Sequence, residues 1–412
     1  MTAIPFPVSG KFIDAVRESS QSLRTKFNIT VSQDAVKSFL LSSSFTSSFS
    51  RLRTSHGLIL PLNFPSLISE LNLLCILSLL NFASGYRVPL HAATGRGAFD
   101  NVRALVFSMY ISSSTGAGDL LSARGMKAMQ ESTVADLMGV TDELHIERPH
   151  ESIPGVTVGE LGGPIWELIQ LLTKTINETG TVLVKGGYPD LGSFVLEAFE
   201  GREKAKAQGG DECDVILERL VRGIPAFQDM MLVNNEPVYC FKKALLTIHA
   251  IALRFGSSDT PAIPVPRTSH LPIFSDNVIP SLLIHLGVID LSTSTPALNL
   301  SSLFPEAGEA ETLEALLTAA TPTDPKASKN KEVPKEGPVV TPEQAYILRA
   351  AAIDACELIV QAAHELGASS EELAWMKDIT APELDAWIWA VAKDRPDYRR
   401  LERFVLRNTV FF

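Results

Sequence analysis

TPEQAYILRAAAIDACELIVQAAHEL, residues 341–366, is the stretch on which the reading of the fold turns. Thr341 stands before Pro342, which suits a first helical position, and Glu343 falls near the positive end of the helix dipole. One long helix to about Leu366 is predicted. The same three-and-four spacing of apolar residues recurs outward from it. Val16–Phe27, Gln33–Leu41, Pro65–Leu80, Phe99–Ser112, Pro164–Glu178 and Leu191–Glu200 read as helices. So do Cys213–Arg222, Phe241–Phe255, Val278–Leu286 and Pro382–Lys393, with Gly287 as a stop signal. The serine-rich run Ser42–Ser50 reads as an interruption, and Asn81–Ala98 as a loop. Asn234 and Asn235 carry hairpin-turn chemistry between Met230–Val233 and Val238–Cys240.

The expected fold is therefore all-α, mostly helical, with at most a small β-hairpin. Strand-rich stretches are too few for a parallel sheet. A single domain over residues 1–412 is expected, with a flexible surface insertion at 321–340. That segment, TPTDPKASKNKEVPKEGP and its flank, has almost no core-forming residues.

Composition narrows the function classes. The chain has 412 residues, is 45% hydrophobic, and carries a net charge of −11. A field of that sign repels phosphate backbones, so no nucleic-acid polymer is expected as partner. The four cysteines, Cys75, Cys213, Cys240 and Cys356, form no CxxC pair. That argues against a zinc knuckle or a disulfide framework. The eight histidines are scattered, and no metal and no cofactor is expected. The N-terminus lacks signal-peptide chemistry. The longest apolar run, Leu71–Ala83, is shorter than the ~20 residues a bilayer needs. A cytoplasmic protein without a membrane partner is the expectation; the oligomeric state is left open.

Three segments hold candidate site residues. Asp276 lies in an apolar stretch before a helix, where it serves either as an N-cap or as a ligand-facing carboxylate. Asp385 lies one helical turn from Trp389 and Ile388, either a first-turn acid or a carboxylate desolvated by the rings. Lys242 and Lys243 are adjacent at the start of an apolar helix and point in different directions.

These segments carry a family resemblance. IPAFQDMMLVNNEPVYCFKKALL (224–246), FSDNVIPSLLIHLGVI (274–289) and LDAWIWAVAKDRPDYRRLERFVLRNTVFF (384–412) resemble the queuosine salvage proteins. The earlier VRESSQSLRTKFNITVSQDAVKSFL (16–40) and LNLLCILSLLNFASGYR (71–87) are similar to that family's N-terminal part. The resemblance implies a helical fold like the helix-hairpin-helix DNA glycosylases. It also implies a hydrolase that cleaves the N-glycosidic bond of queuosine 5′-monophosphate and releases queuine for tRNA-modification salvage.

The chemistry of that reaction passes through an oxocarbenium-like state that a carboxylate stabilises or attacks. A 7-deazapurine has carbon where ordinary purines accept an activating proton, so more of the burden falls on the ribosyl cation. By resemblance Asp385 is the expected catalytic carboxylate and Asp276 recognises the base. Phe274 would stack on it, Ser275 and Trp389 would line the site, and Lys242 would hold the 5′-phosphate. His56 is placed near the ligand by a looser match. The sequence departs from relatives at Asn277-Val278, where they read Tyr-Arg, and at Ala390, where they carry an acid. That departure motivates the alternative: a non-catalytic relative that binds queuine or a 7-deazapurine nucleotide. A helical interaction scaffold is the third reading, and it leaves two carboxylates among aromatic rings unexplained.

Overall fold

The computed structural model describes residues 4–54, 60–115, 118–202, 207, 209–256, 263, 265–319 and 334–412. The helix expected from 341 spans Pro342–Ser369 and is the pillar of the architecture. Thr341 and Gln344 form a reciprocal capping box at its start. Its face is rich in alanine, and Ala345, Ala350, Ala351, Ala352 and Ala355 are fully buried. Small side chains let neighbouring helices approach closely, and Phe12–Lys26, Gln33–Leu41, Val278–His285 and Ala381–Asp394 all pack on it. Arg24 and Asp354 form an ion pair across the first of these contacts.

Helices make up most of the described residues, as the periodicity predicts. The hairpin Met230–Val233/Glu236–Tyr239 is present, with Asn234 and Asn235 at φ 51° and 64°. Both central residues are left-handed, as a two-residue hairpin turn requires. Two further antiparallel pairs exceed the single hairpin expected. Thr30–Val31 pairs with Ile289–Asp290, and His145–Pro149 pairs with Thr157–Leu161.

Two local readings are corrected. Ser42–Ser50 does not break the chain: Ser43–Leu52 is a helix capped by the Ser42 side chain. Its hydroxyls bond back to carbonyls one turn earlier, as Thr46 does to Ser42 at 2.9 Å and Ser48 to Ser44 at 2.6 Å. Phe45 and Phe49 bury against Trp375 and, for Phe45, Trp387, so tertiary burial overrides poor propensity. Asn81–Ala98 is not a loop throughout either, since Arg87–Thr94 is helical and ends at Gly95 with φ 68°.

The expected insertion lies mostly outside the described residues. Its last part, 334–340, packs on the C-terminal tail. Val405 N donates to Pro338 O at 2.8 Å, and Val340 N to Val405 O at 3.0 Å. At Gly337 the backbone runs so close to Arg403 O that a Cβ has no room. Among the described residues no single helix is long and apolar enough to cross a membrane.

Candidate active site

The site is organised from a buried ion pair. Arg349, on the long helix, is 0% exposed. Its two terminal nitrogens donate to Asp229 Oδ1 at 2.9 Å and Oδ2 at 2.5 Å, and its Nε donates to Ser275 O at 2.9 Å. Tyr346 Oη donates to Asp229 Oδ1 at 2.8 Å, and the backbone N–H of Lys242 to Oδ2 at 3.1 Å. One carboxylate thus ties the long helix to the start of the Lys242–Phe255 helix.

The segment Phe274–Asn277 is fixed residue by residue. Phe274 N donates to Asp385 Oδ2 at 2.7 Å. Ser275 Oγ donates to Arg349 O at 3.1 Å. Asn277 Nδ2 donates to Phe404 O at 2.8 Å. Asp276 Oδ1 accepts from Val278 N at 2.7 Å and Ile279 N at 3.4 Å, the capping role that its sequence position allowed. Its other oxygen has no partner among the described residues.

Beside Asp276 lies a cavity of about 390 Å³. Phe82, Phe99, Trp389 and Phe412 supply its apolar walls. Lys242, Asn81 and Asn277 supply polar groups near Asp276. The Lys242 ammonium donates to Asn81 O at 2.6 Å and Oδ1 at 3.1 Å. Burial lowers its pKa to about 8, with the charges of Asp276, Asp229 and Asp385 acting against that fall. Lys243 next to it points elsewhere: its ammonium stands 4.9 Å from the Phe82 ring centre, and burial depresses its pKa strongly.

The remaining wall is cationic. Arg87, Lys335, Lys393, Arg399, Arg400 and Arg403 all line it. Lys393 and Lys335 have carboxylate partners in Asp100 and Glu402. No carboxylate pairs with Arg87, Arg399 or Arg403 among the described residues. Arg87 Nη1 and Arg403 Nε are buried without a partner there. Burial, then the charges of Arg403 and Arg399, lowers the Arg87 pKa to about 9. Burial lowers that of Arg403 to about 10, opposed by Asp276. Clustered, desolvated like charges are unfavourable alone and fit a bound anion. The chain is acidic overall, yet this wall is positive, so the net charge did not foretell the local field.

Asp276, Lys242 and Trp389 therefore come together on the cavity. Three other expected residues do not line it. Ser275 is fully buried and its hydroxyl is used by Arg349 O. The Phe274 ring packs 5.3 Å from that of His249. Asp385 is 5% exposed and serves the Phe274 amide from behind the wall. His56 lies outside the described residues. Ala390 is 2% exposed and does not itself line the cavity. The arginines and Lys335 were missed. The available signal was the arginine density of RPDYRRLERF amid aromatic residues, an arrangement that purely solvated charges do not need.

Burial pushes the Asp385 carboxyl up to about 7; the charge of Asp276 adds to this, while the Phe274 amide and Lys242 oppose it. An unfolded aspartate titrates near 4, at about 3.9. The native state thus holds an extra proton between about pH 4 and 7. Stability from this group is full below the unfolded value and is lost as pH rises through the folded one. Asp385→Asn keeps an acceptor for the Phe274 amide and cannot titrate. Wild-type stability minus that of Asp385→Asn, read from urea unfolding, is expected to fall with rising pH across this window. A flat difference would mean that Asp385 stays ionised throughout.

Residues 168–313 match the family model described as queuosine salvage protein. No curated protein matches the chain. The matched segment contains Asp229, Lys242 and Phe274–Asn277. Arg87, Arg349, Asp385 and the tail arginines lie outside it. The likeness supports a part in queuosine salvage.

Proposed function

We propose that this chain, similar to queuosine salvage proteins over residues 168–313, hydrolyses the N-glycosidic bond of queuosine 5′-monophosphate and releases queuine. The observation that carries the reading is one cavity that joins a buried carboxylate, aromatic walls and arginines without carboxylate partners. A nucleotide offers complementary parts: a sugar that turns cationic, a flat base and a phosphate.

The two carboxylates take roles different from those that the resemblance implied. Asp276 is the better candidate to act at C1′, because it lines the cavity and keeps one oxygen without a protein partner. Asp385 is a positioning residue: it orients Phe274 and, through it, Asp276, and its raised pKa lets it hold a proton near neutrality. In the reaction a water adds to C1′ as the C–N bond breaks. The water's proton passes to a base, and the departing nitrogen takes up a proton. Asp276 stabilises the cation while water adds, or attacks C1′ to form a ribosyl ester that the water then hydrolyses, which frees the carboxylate. Trp389, Phe99 and Phe82 offer faces for the base. Lys242 keeps a positive charge beside the two carboxylates.

The phosphate falls to Arg87, Arg399 and Arg403 rather than to Lys242, whose ammonium already serves Asn81. Arg403→Ala is expected to lower kcat/KM for the 5′-monophosphate by about ten- to a hundredfold, the worth of one hydrogen bond to a charged group. Turnover of the nucleoside queuosine should change little. Queuine release from both substrates, followed by mass spectrometry, checks this. Equal losses on both would assign Arg403 to the fold of the tail instead of the phosphate. No queuine from wild-type protein on either substrate, with saturable queuine binding, would favour the non-catalytic reading.

A further inference from the structure

We propose a divalent transition-metal site of zinc type formed by Asp211, Cys213 and His270. None of the three lines the cavity, and the inference does not rest on the proposed reaction. Their donor atoms all lie within 4.8 Å of one another. Asp211 caps the Glu212–Gly223 helix with Oδ1, which accepts from Cys213 N at 2.8 Å and Asp214 N at 3.3 Å. That leaves Oδ2, which sits 2.8 Å from His270 Nε2. The Cys213 thiol is fully buried and directed at Arg267 O, 3.3 Å away. The His270 carbonyl is held by Arg17.

The donor set is carboxylate oxygen, thiolate sulfur and imidazole nitrogen, which zinc binds at ~2.0–2.3 Å with tetrahedral geometry. Such a centre spaces its ligand atoms ~3.3–3.8 Å apart by simple trigonometry. The Nε2–Oδ2 pair must open slightly, as the metal takes the place of the shared proton, and the sulfur must approach. The Asp211 and His270 side chains, 39% and 43% exposed, have the freedom to move and leave a path for entry. Their exposure also leaves a fourth position for water. The surroundings favour a dication. Glu212 and Asp214 add negative charge beside Asp211, and Arg202 opposes them. Metal binding needs the Cys213 thiolate, so the thiol proton passes to solvent, and the proton shared by His270 and Asp211 moves to the other ring nitrogen. The cluster was not legible as a motif because His270 is remote in sequence from Asp211 and Cys213. Arg267 and His270 belong to the segment that leads into Phe274–Asp276, so a bound metal would clamp that segment to the Glu212–Gly223 helix.

The test uses the full chain, freed of metal by a chelator and titrated with Zn²⁺ and with Co²⁺. One equivalent of Zn²⁺ is expected to bind with a rise in Tm, and Co²⁺ to give a thiolate-to-cobalt charge-transfer band. Cys213→Ser should abolish the band. His270→Gln, at a half-exposed position that leaves the core intact, should keep a band but weaken affinity by more than about tenfold, the least loss seen even for partners of ligands. Substoichiometric binding by wild type, or unchanged affinity in both variants, would reduce the cluster to a surface ion pair beside an inert buried thiol.

Discussion

Asp276→Asn is expected to slow queuine release from queuosine 5′-monophosphate by on the order of a thousandfold, with ligand affinity little changed. The amide keeps an oxygen for Val278 N and Ile279 N, so the start of the Val278–His285 helix stays capped. Only the charge is lost, and charge is what a ribosyl cation requires. Single-turnover release measured by mass spectrometry, with binding measured by calorimetry, separates chemistry from affinity. Asp385→Asn belongs beside it. As a positioning residue it should shift the pH profile and lower kcat by a smaller factor, about ten- to a hundredfold. If Asp385→Asn abolishes turnover and Asp276→Asn does not, the roles are the reverse of those proposed, as the sequence resemblance first implied.

Arg349→Ala is expected to destabilise the fold by about 3–5 kcal/mol, the cost of leaving a buried charge without its partner. Asp229 is 1% exposed and, among the described residues, would keep only Tyr346 and the Lys242 amide as donors. The same change releases Ser275 O, so activity should fall at temperatures where the variant is still folded. Urea unfolding monitored by tryptophan fluorescence measures the first effect. The double variant Arg349→Met/Asp229→Leu should regain part of the stability, because apolar replacement of a buried pair is often neutral or better, while Tyr346 Oη and the Lys242 amide lose their acceptor. It should not regain activity. A loss below about 1 kcal/mol for Arg349→Ala, the scale of an exposed pair, would show that the pair is not what fastens the site.

The serine-rich helix and the cationic wall show why parts of the molecule were hidden in the sequence. Ser43–Leu52 has poor local propensity, and its two phenylalanines commit it to a helix only because Trp375 and Trp387 stand opposite. Arg87 and Arg403 come from opposite ends of the chain, and each alone reads as a solvated cation. What distinguishes them is the absence of carboxylate partners around them among the described residues, a property of the packed neighbourhood. Lys335 was hidden differently: its segment looks polar and structureless, yet Pro338 and Val340 pair with Val405.

Local chemistry alone determined the long helix from Thr341, the Asn234-Asn235 turn and the stop at Gly287. Capping, turn conformation and apolar period act within a few residues, and nothing distant overrides them here. Asp276 and Asp385 were legible as candidate buried acids as well, because a carboxylate among large apolar residues is costly wherever the chain goes, whereas Asp229, buried by the packing around Arg349, was not. Which acid meets the cavity was not. Asp276 and Asp385 are both buried, and only the path of Phe274–Asn277 past Arg349 places Asp276 on the wall and Asp385 behind it. Orientation toward a shared space depends on which side chains converge from remote parts of the chain, so it was decided by the tertiary structure.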